Sequence, residues 1–79
     1  MSEIVDSVFQ VKIANEKQIC LKEQNNGFKV FVEPANNQKY NNKIRTKINN
    51  LEREDIIQAT LKSQNKILTI WTFDSIKHI

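Results

Sequence analysis

Leu51-Glu52-Arg53-Glu54-Asp55-Ile56-Ile57-Gln58-Ala59-Thr60-Leu61-Lys62 is followed, after a polar Ser63-Gln64-Asn65 break, by Lys66-Ile67-Leu68-Thr69-Ile70-Trp71-Thr72-Phe73. The charged opening reads as a turn, with Asn50 as a cap and the acids in a first helical turn, where the macrodipole favours them. Continued through Leu61, a helix would gather Leu51, Ile57 and Leu61 near one face. Against that, Ile56, Ile57 and Thr60 are β-branched and stiff at χ1, which favours a strand. The expectation is therefore one helical turn, a strand over 56 to 62, and an antiparallel partner over 66 to 73. The partner is apolar on both faces at its centre, as in a strand covered on both sides or carrying a bulge. Ser75-Ile76-Lys77-His78-Ile79 continues it.

Upstream the same period of two recurs. Val5, Ser7, Phe9, Val11 and Ile13 fall at every second position, which is the signature of a half-buried strand over 5 to 14. Asn15-Glu16-Lys17 breaks the pattern and a shorter strand over 18 to 24 resumes it. Asn25-Asn26-Gly27 holds the only glycine of the chain, and an Asn-Gly pair between apolar alternations is a strong hairpin signal because both residues tolerate positive φ. The strand over 18 to 24 is thus expected to pair with 28 to 33, where Phe28, Val30 and Val32 share one face and Lys29, Phe31 and Glu33 the other. Pro34, lacking a ladder donor, ends that strand, and a polar loop from Ala35 to Asn42 carries Tyr40. Lys43 to Ile48 alternates again, setting Ile44, Thr46 and Ile48 against Lys43, Arg45 and Lys47, and is read as a fourth strand. The apolar faces of these strands predict a core of Phe9, Val11, Ile13, Ile19, Leu21, Val30, Val32, Ile57, Leu61, Ile70 and Trp71.

Seventy-nine residues suit one small β domain spanning 1–79, whose modest core leaves room for an oligomeric partner. A single cysteine, Cys20, excludes an internal disulfide, and its place in Ile19-Cys20-Leu21 marks it as buried filler. The N-terminus has no basic leader, and no window approaches the ~18 apolar residues of a membrane span, so a soluble, cytoplasmic protein with no membrane partner is expected. Twelve Lys and Arg against nine Asp and Glu leave a net charge of +3, which permits a phosphate-bearing partner.

Leu51-x-x-Glu54-Asp55-Ile56-Ile57-x-Ala59-x-Leu61 resembles the Leu-x-x-Gly-Asp-x-Val-x-Ala-x-Leu turn-strand phrase of many small barrels, with Glu54 standing where those carry glycine. Together with the strand count it implies a mainly β fold, a five- or six-stranded antiparallel barrel, OB-like or SH3-like, with one short helical turn before the penultimate strand.

Chemistry is harder to place. The titratable candidates Glu52, Glu54, Asp55, Asp74 and His78 have no spacing that would pair a general acid with a base, and three of them sit in one turn beside Arg53. There is no second histidine or cysteine at metal-ligand spacing, and one glycine cannot build a phosphate loop. No catalytic residue, metal or cofactor is therefore assigned. Nucleic-acid binding needs cations along phosphates and exposed aromatics under bases, and Lys29, Phe31, Tyr40, Lys43, Arg45 and Lys47 would supply both from the outward faces of strands three and four. The plainer reading makes the lysines protection for edge strands, and Phe31 and Tyr40 cover for the core. The expected function is a non-enzymatic single-stranded nucleic-acid-binding domain of low sequence specificity. The alternative is an interaction module, an inhibitor or accessory subunit docking on a larger protein complex through an apolar patch.

Overall fold

The structure is a computed structural model that describes residues 3–63 and 70–79. Its elements are β1 (Glu3–Ala14), β2 (Ile19–Glu23), β3 (Lys29–Val32), α1 (Asn42–Asn49), β4 (Ile56–Ser63) and β5 (Ile70–His78). The five strands close into a ring in the order β1-β2-β3-β5-β4 and back to β1. All neighbours are antiparallel except β3 and β5, which run parallel. The expected hairpin forms as read, Leu21 opposite Val30 and Lys22 opposite Lys29, with Gly27 at φ 75 in the turn. The expected strand over 66 to 73 is met from Ile70 onward, its first four positions lying outside the described residues.

Two expectations are corrected here. Lys43 to Ile48 is not a strand but lies in α1, so the ring has five strands and not six among the described residues. Ile44 and Ile48 are four apart, a spacing that satisfies both period two and a helical turn. Local capping and packing decide between them. The Asn41 side chain accepts the Ile44 amide at 2.8 Å, Ile48 is buried, and Ile44 packs against the same core. Eight residues would be a marginal helix alone, so this burial is what holds it. Asn50 is consequently the C-cap of α1 and not the N-cap of a later helix.

The core gathers Phe9, Val11, Ile19, Leu21, Val32, Ile57 and Leu61 as expected, together with Tyr40, Ile48, Leu51, Ala59, Phe73 and Ile76. Ile13 and Ile70 are corrected outward, being 40% and 48% exposed, while Val30 and Trp71 are only partly buried. Ile70 faces out by plain alternation, three residues before buried Phe73 and opposite outward Phe31, whereas two strands also change phase along their length. In β1 the register passes from Val11 opposite Leu21 to Ile13 opposite Cys20, so Lys12 is an extra residue and every later side chain swaps face. In β5 the register passes from Phe73 opposite Leu61 to Ser75 opposite Thr60, leaving Asp74 extra. Phe73 and Ile76, an odd number apart, therefore both point inward. No helix among the described residues is long and apolar enough to cross a membrane.

The turn into β4 explains the substituted glycine. Glu54 stands at φ 76, the left-handed region where glycine is unstrained. It is held there from two sides. Its amide donates to Val11 O at 2.7 Å, and its carboxylate accepts from Gln10 Nε2 at 2.7 Å, with Lys12 Nζ at 3.7 Å. Those exposed side-chain contacts are worth little, whereas a non-glycine residue in the left-handed region costs roughly 1–2 kcal/mol. Glu54→Gly is therefore expected to leave stability unchanged or raise it by up to about 1 kcal/mol, seen as a Tm gain of up to about 8 °C. Glu54→Val should lower the Tm. A fall of several degrees in Glu54→Gly would show that the carboxylate contacts outweigh the backbone strain.

Candidate functional site

Residues paired across strands share a face, so the register alone defines the outer surface of the ring. One row runs Ile13, Cys20, Phe31, Ile70 across β1, β2, β3 and β5. Ile13, Phe31 and Ile70 are 40%, 46% and 48% exposed, whereas Cys20, between Ile13 and Phe31, is buried as expected. The next row runs Gln10, Lys22, Lys29. Like charges directly opposite one another on a sheet are destabilising, so the Lys22–Lys29 pair costs stability that an anion lying across it would offset. Phe28, at the end of the hairpin turn, is 69% exposed, and Lys17 joins Phe31, Pro34 and Ile70 around a shallow hollow. The outer face of β2 and β3 thus combines exposed Phe31 with a cation pair, and exposed Phe28 stands at the end of the adjoining turn.

The six residues proposed from sequence do not assemble as expected. Lys29 and Phe31 do alternate outward on β3 and stay exposed. Lys43, Arg45 and Lys47 lie on α1, where residues two apart do not share a face, so the stripe of three cations does not form. Only Lys43 is exposed. Arg45 ties the preceding loop to the helix, its Nε donating to Ala35 O at 2.9 Å and Nη2 to Tyr40 O at 3.0 Å and Asn37 O at 3.2 Å. Lys47 Nζ donates to Ile76 O at 2.9 Å. Lys22, Phe28 and Ile70 were missed. The hairpin register was enough to find Lys22, whereas Phe28 looked inward by alternation and Ile70 looked like core until β5 was paired with β3.

Tyr40 is corrected from stacking platform to buried clamp. Its ring is 6% exposed, and its hydroxyl donates to Glu33 O at 2.8 Å and accepts from Phe73 N at 3.2 Å. It thereby links the end of β3 to β5 just where the parallel pairing stops. Burial pushes its phenol up to about 12; the Phe73 amide opposes that shift and the Glu33 carboxylate adds to it.

The acids are engaged elsewhere. Asp55 Oδ2 accepts the Glu52 amide at 2.9 Å and stands 3.8 Å from His78 Nε2, Glu54 braces Gln10, and Asp74 Oδ1 lies 2.8 Å from Lys62 Nζ. Among the described residues no three His, Cys, Asp or Glu side chains gather so as to hold a metal.

Tyr40→Phe keeps the ring but strips a partner from two backbone groups, and is expected to cost about 1–3 kcal/mol of unfolding free energy near neutral pH. The neutral phenol is favoured in the fold, so its contribution is fully present below the ordinary tyrosine value near 10 and fades as pH rises from there to about 12. Denaturant titrations should therefore show the gap between wild type and Tyr40→Phe shrinking over that window. A gap independent of pH would refute the clamp. Compared with known protein families, curated proteins and solved structures, the chain finds no match in any of the three.

Proposed function

We propose that this chain is a small non-catalytic OB-type barrel of the cytoplasm that binds single-stranded nucleic acid with low sequence specificity. The strand order β1-β2-β3-β5-β4, with α1 between β3 and β4, supports the OB-type member of the two barrels expected. Folds of that type use the face of strands two and three for extended polymers. The observation that carries the reading is the juxtaposition on that face of exposed Phe31 with Lys22 and Lys29, with Phe28 exposed at the adjoining turn. Bases of any identity stack on an aromatic ring, while phosphates seek the cations. Lys43, Arg45 and Lys47 drop out of the binding set, since α1 places them apart from this face's rows and two of them serve the fold.

A second reading rests on a different observation. The row Ile13, Phe31, Ile70 is apolar across three strands, which supports a module docking on a larger protein complex. The two readings part on salt. Phosphate contacts make affinity fall with ionic strength by a slope of about 0.7 per contact on single strands, and apolar docking does not.

Fluorescence anisotropy with oligo(dT) and oligo(U) at two salt concentrations tests the proposal. Lys22→Ala with Lys29→Ala should weaken binding alike on both and reduce the salt slope by about 1.4. Phe31→Ala should weaken binding by roughly five- to 150-fold, corresponding to about 1–3 kcal/mol per lost stack, with the slope unchanged. Absence of binding by the wild-type protein at low salt would transfer the face to the docking reading.

A further inference from the structure

The outer row does not stop at Ile70. Ile70 and Glu33 line both the hollow beside Phe31 and a second groove, which continues between the loop before α1 and the start of β5. That groove carries Lys39 and Lys62 alongside the carboxylates of Glu33 and Asp74, over a floor of buried Tyr40 and Phe73, so cations continue from the β2–β3 face into it. Lys62, however, is already engaged. Its Nζ lies 2.8 Å from Asp74 Oδ1, with the two side chains 41% and 46% exposed.

Asp74 occupies the extra position of the β5 bulge, between Phe73 opposite Leu61 and Ser75 opposite Thr60. A bulge re-aims the side chain it carries. Here that side chain is a carboxylate, and it meets the groove's lysine. An exposed pair of this kind contributes little to stability, and it is weak enough to be exchanged for a phosphate.

We propose that Asp74 is an electrostatic brake on nucleic-acid binding. It neutralises Lys62 in the groove that prolongs the β2–β3 face, and a strand entering the groove must displace it. The inference rests on the nucleic-acid reading above and adds a regulating residue to the same surface. Removing the carboxylate frees one cation for one phosphate, which adds about 0.7 to the salt slope on single strands. At roughly 50 mM salt, that slope corresponds to about eightfold tighter binding.

The experiment is a double-mutant cycle of Asp74→Asn and Lys62→Ala, read by anisotropy on an oligo(U) of roughly 12 nucleotides, within the span that one such domain covers. Asp74→Asn is expected to bind about eightfold tighter than wild type with a steeper slope. Lys62→Ala alone should bind nearly as wild type, and adding Asp74→Asn to it should bring little further gain. Both positions are exposed and isosteric Asn keeps the bulge, so circular dichroism should be unchanged. If wild type binds but Asp74→Asn binds equally, the brake is refuted while the nucleic-acid reading stands. If Asp74→Asn tightens binding as much in the Lys62→Ala background as in wild type, the effect is general charge and not release of Lys62, which also refutes it. If neither wild type nor Asp74→Asn binds, both proposals fall together.

Discussion

The ring depends on a parallel ladder. Among the described residues, Phe31 opposite Ile70 and Val32 opposite Trp71 join β3 to β5, extended by Glu33 N donating to Trp71 O at 2.8 Å. Beyond that point the Tyr40 hydroxyl carries the link from Glu33 O to Phe73 N. Parallel neighbours cannot be joined by a tight turn and require a crossover. The crossover here holds the Tyr40 loop, α1 and β4. Closure in turn removes the open edges through which a small sheet would pair with other chains.

A ring of strands also demands curvature, and the chain supplies it with extra residues at Lys12 and Asp74. Each has a consequence for the surface as well as for the backbone. The first turns Ile13 outward to extend the apolar row; the second directs a carboxylate at Lys62. Glu54, in the turn that docks on Val11 beside the first bulge, tolerates a left-handed backbone because β1 holds it there. The structural irregularities and the candidate interface thus arise from the same demand for closure.

Much of this was legible in the residues themselves. Period-two alternation located most of the strands, and Asn26-Gly27 marked the β2–β3 hairpin, because both signals are local and glycine alone enters positive φ without strain. The burial of Phe9, Val11, Leu21, Ile57 and Leu61 followed from the same alternation. So did the outward placing of Lys29 and Phe31. The burial of Cys20 was legible too, from its two apolar neighbours.

The tertiary structure decided everything that turns on phase or on distant partners. Ile44 and Ile48 fit a strand and a helix equally until burial against the core selected the helix, and with it Lys43, Arg45 and Lys47 lost their common face. Tyr40 looked like a loop aromatic because the groups that satisfy its hydroxyl, Glu33 O and Phe73 N, lie on strands joined only by closure. Ile13 changed sides because the extra Lys12 reverses the side chains after it, and periodicity along a strand cannot register a bulge that exists only against its neighbour; Ile70, which precedes the β5 bulge, faces out because it lies an odd number of residues from buried Phe73 and opposite outward Phe31. Sequence by itself determined which segments extend and which residue types they offer; pairing across the ring determined which of those residues meet.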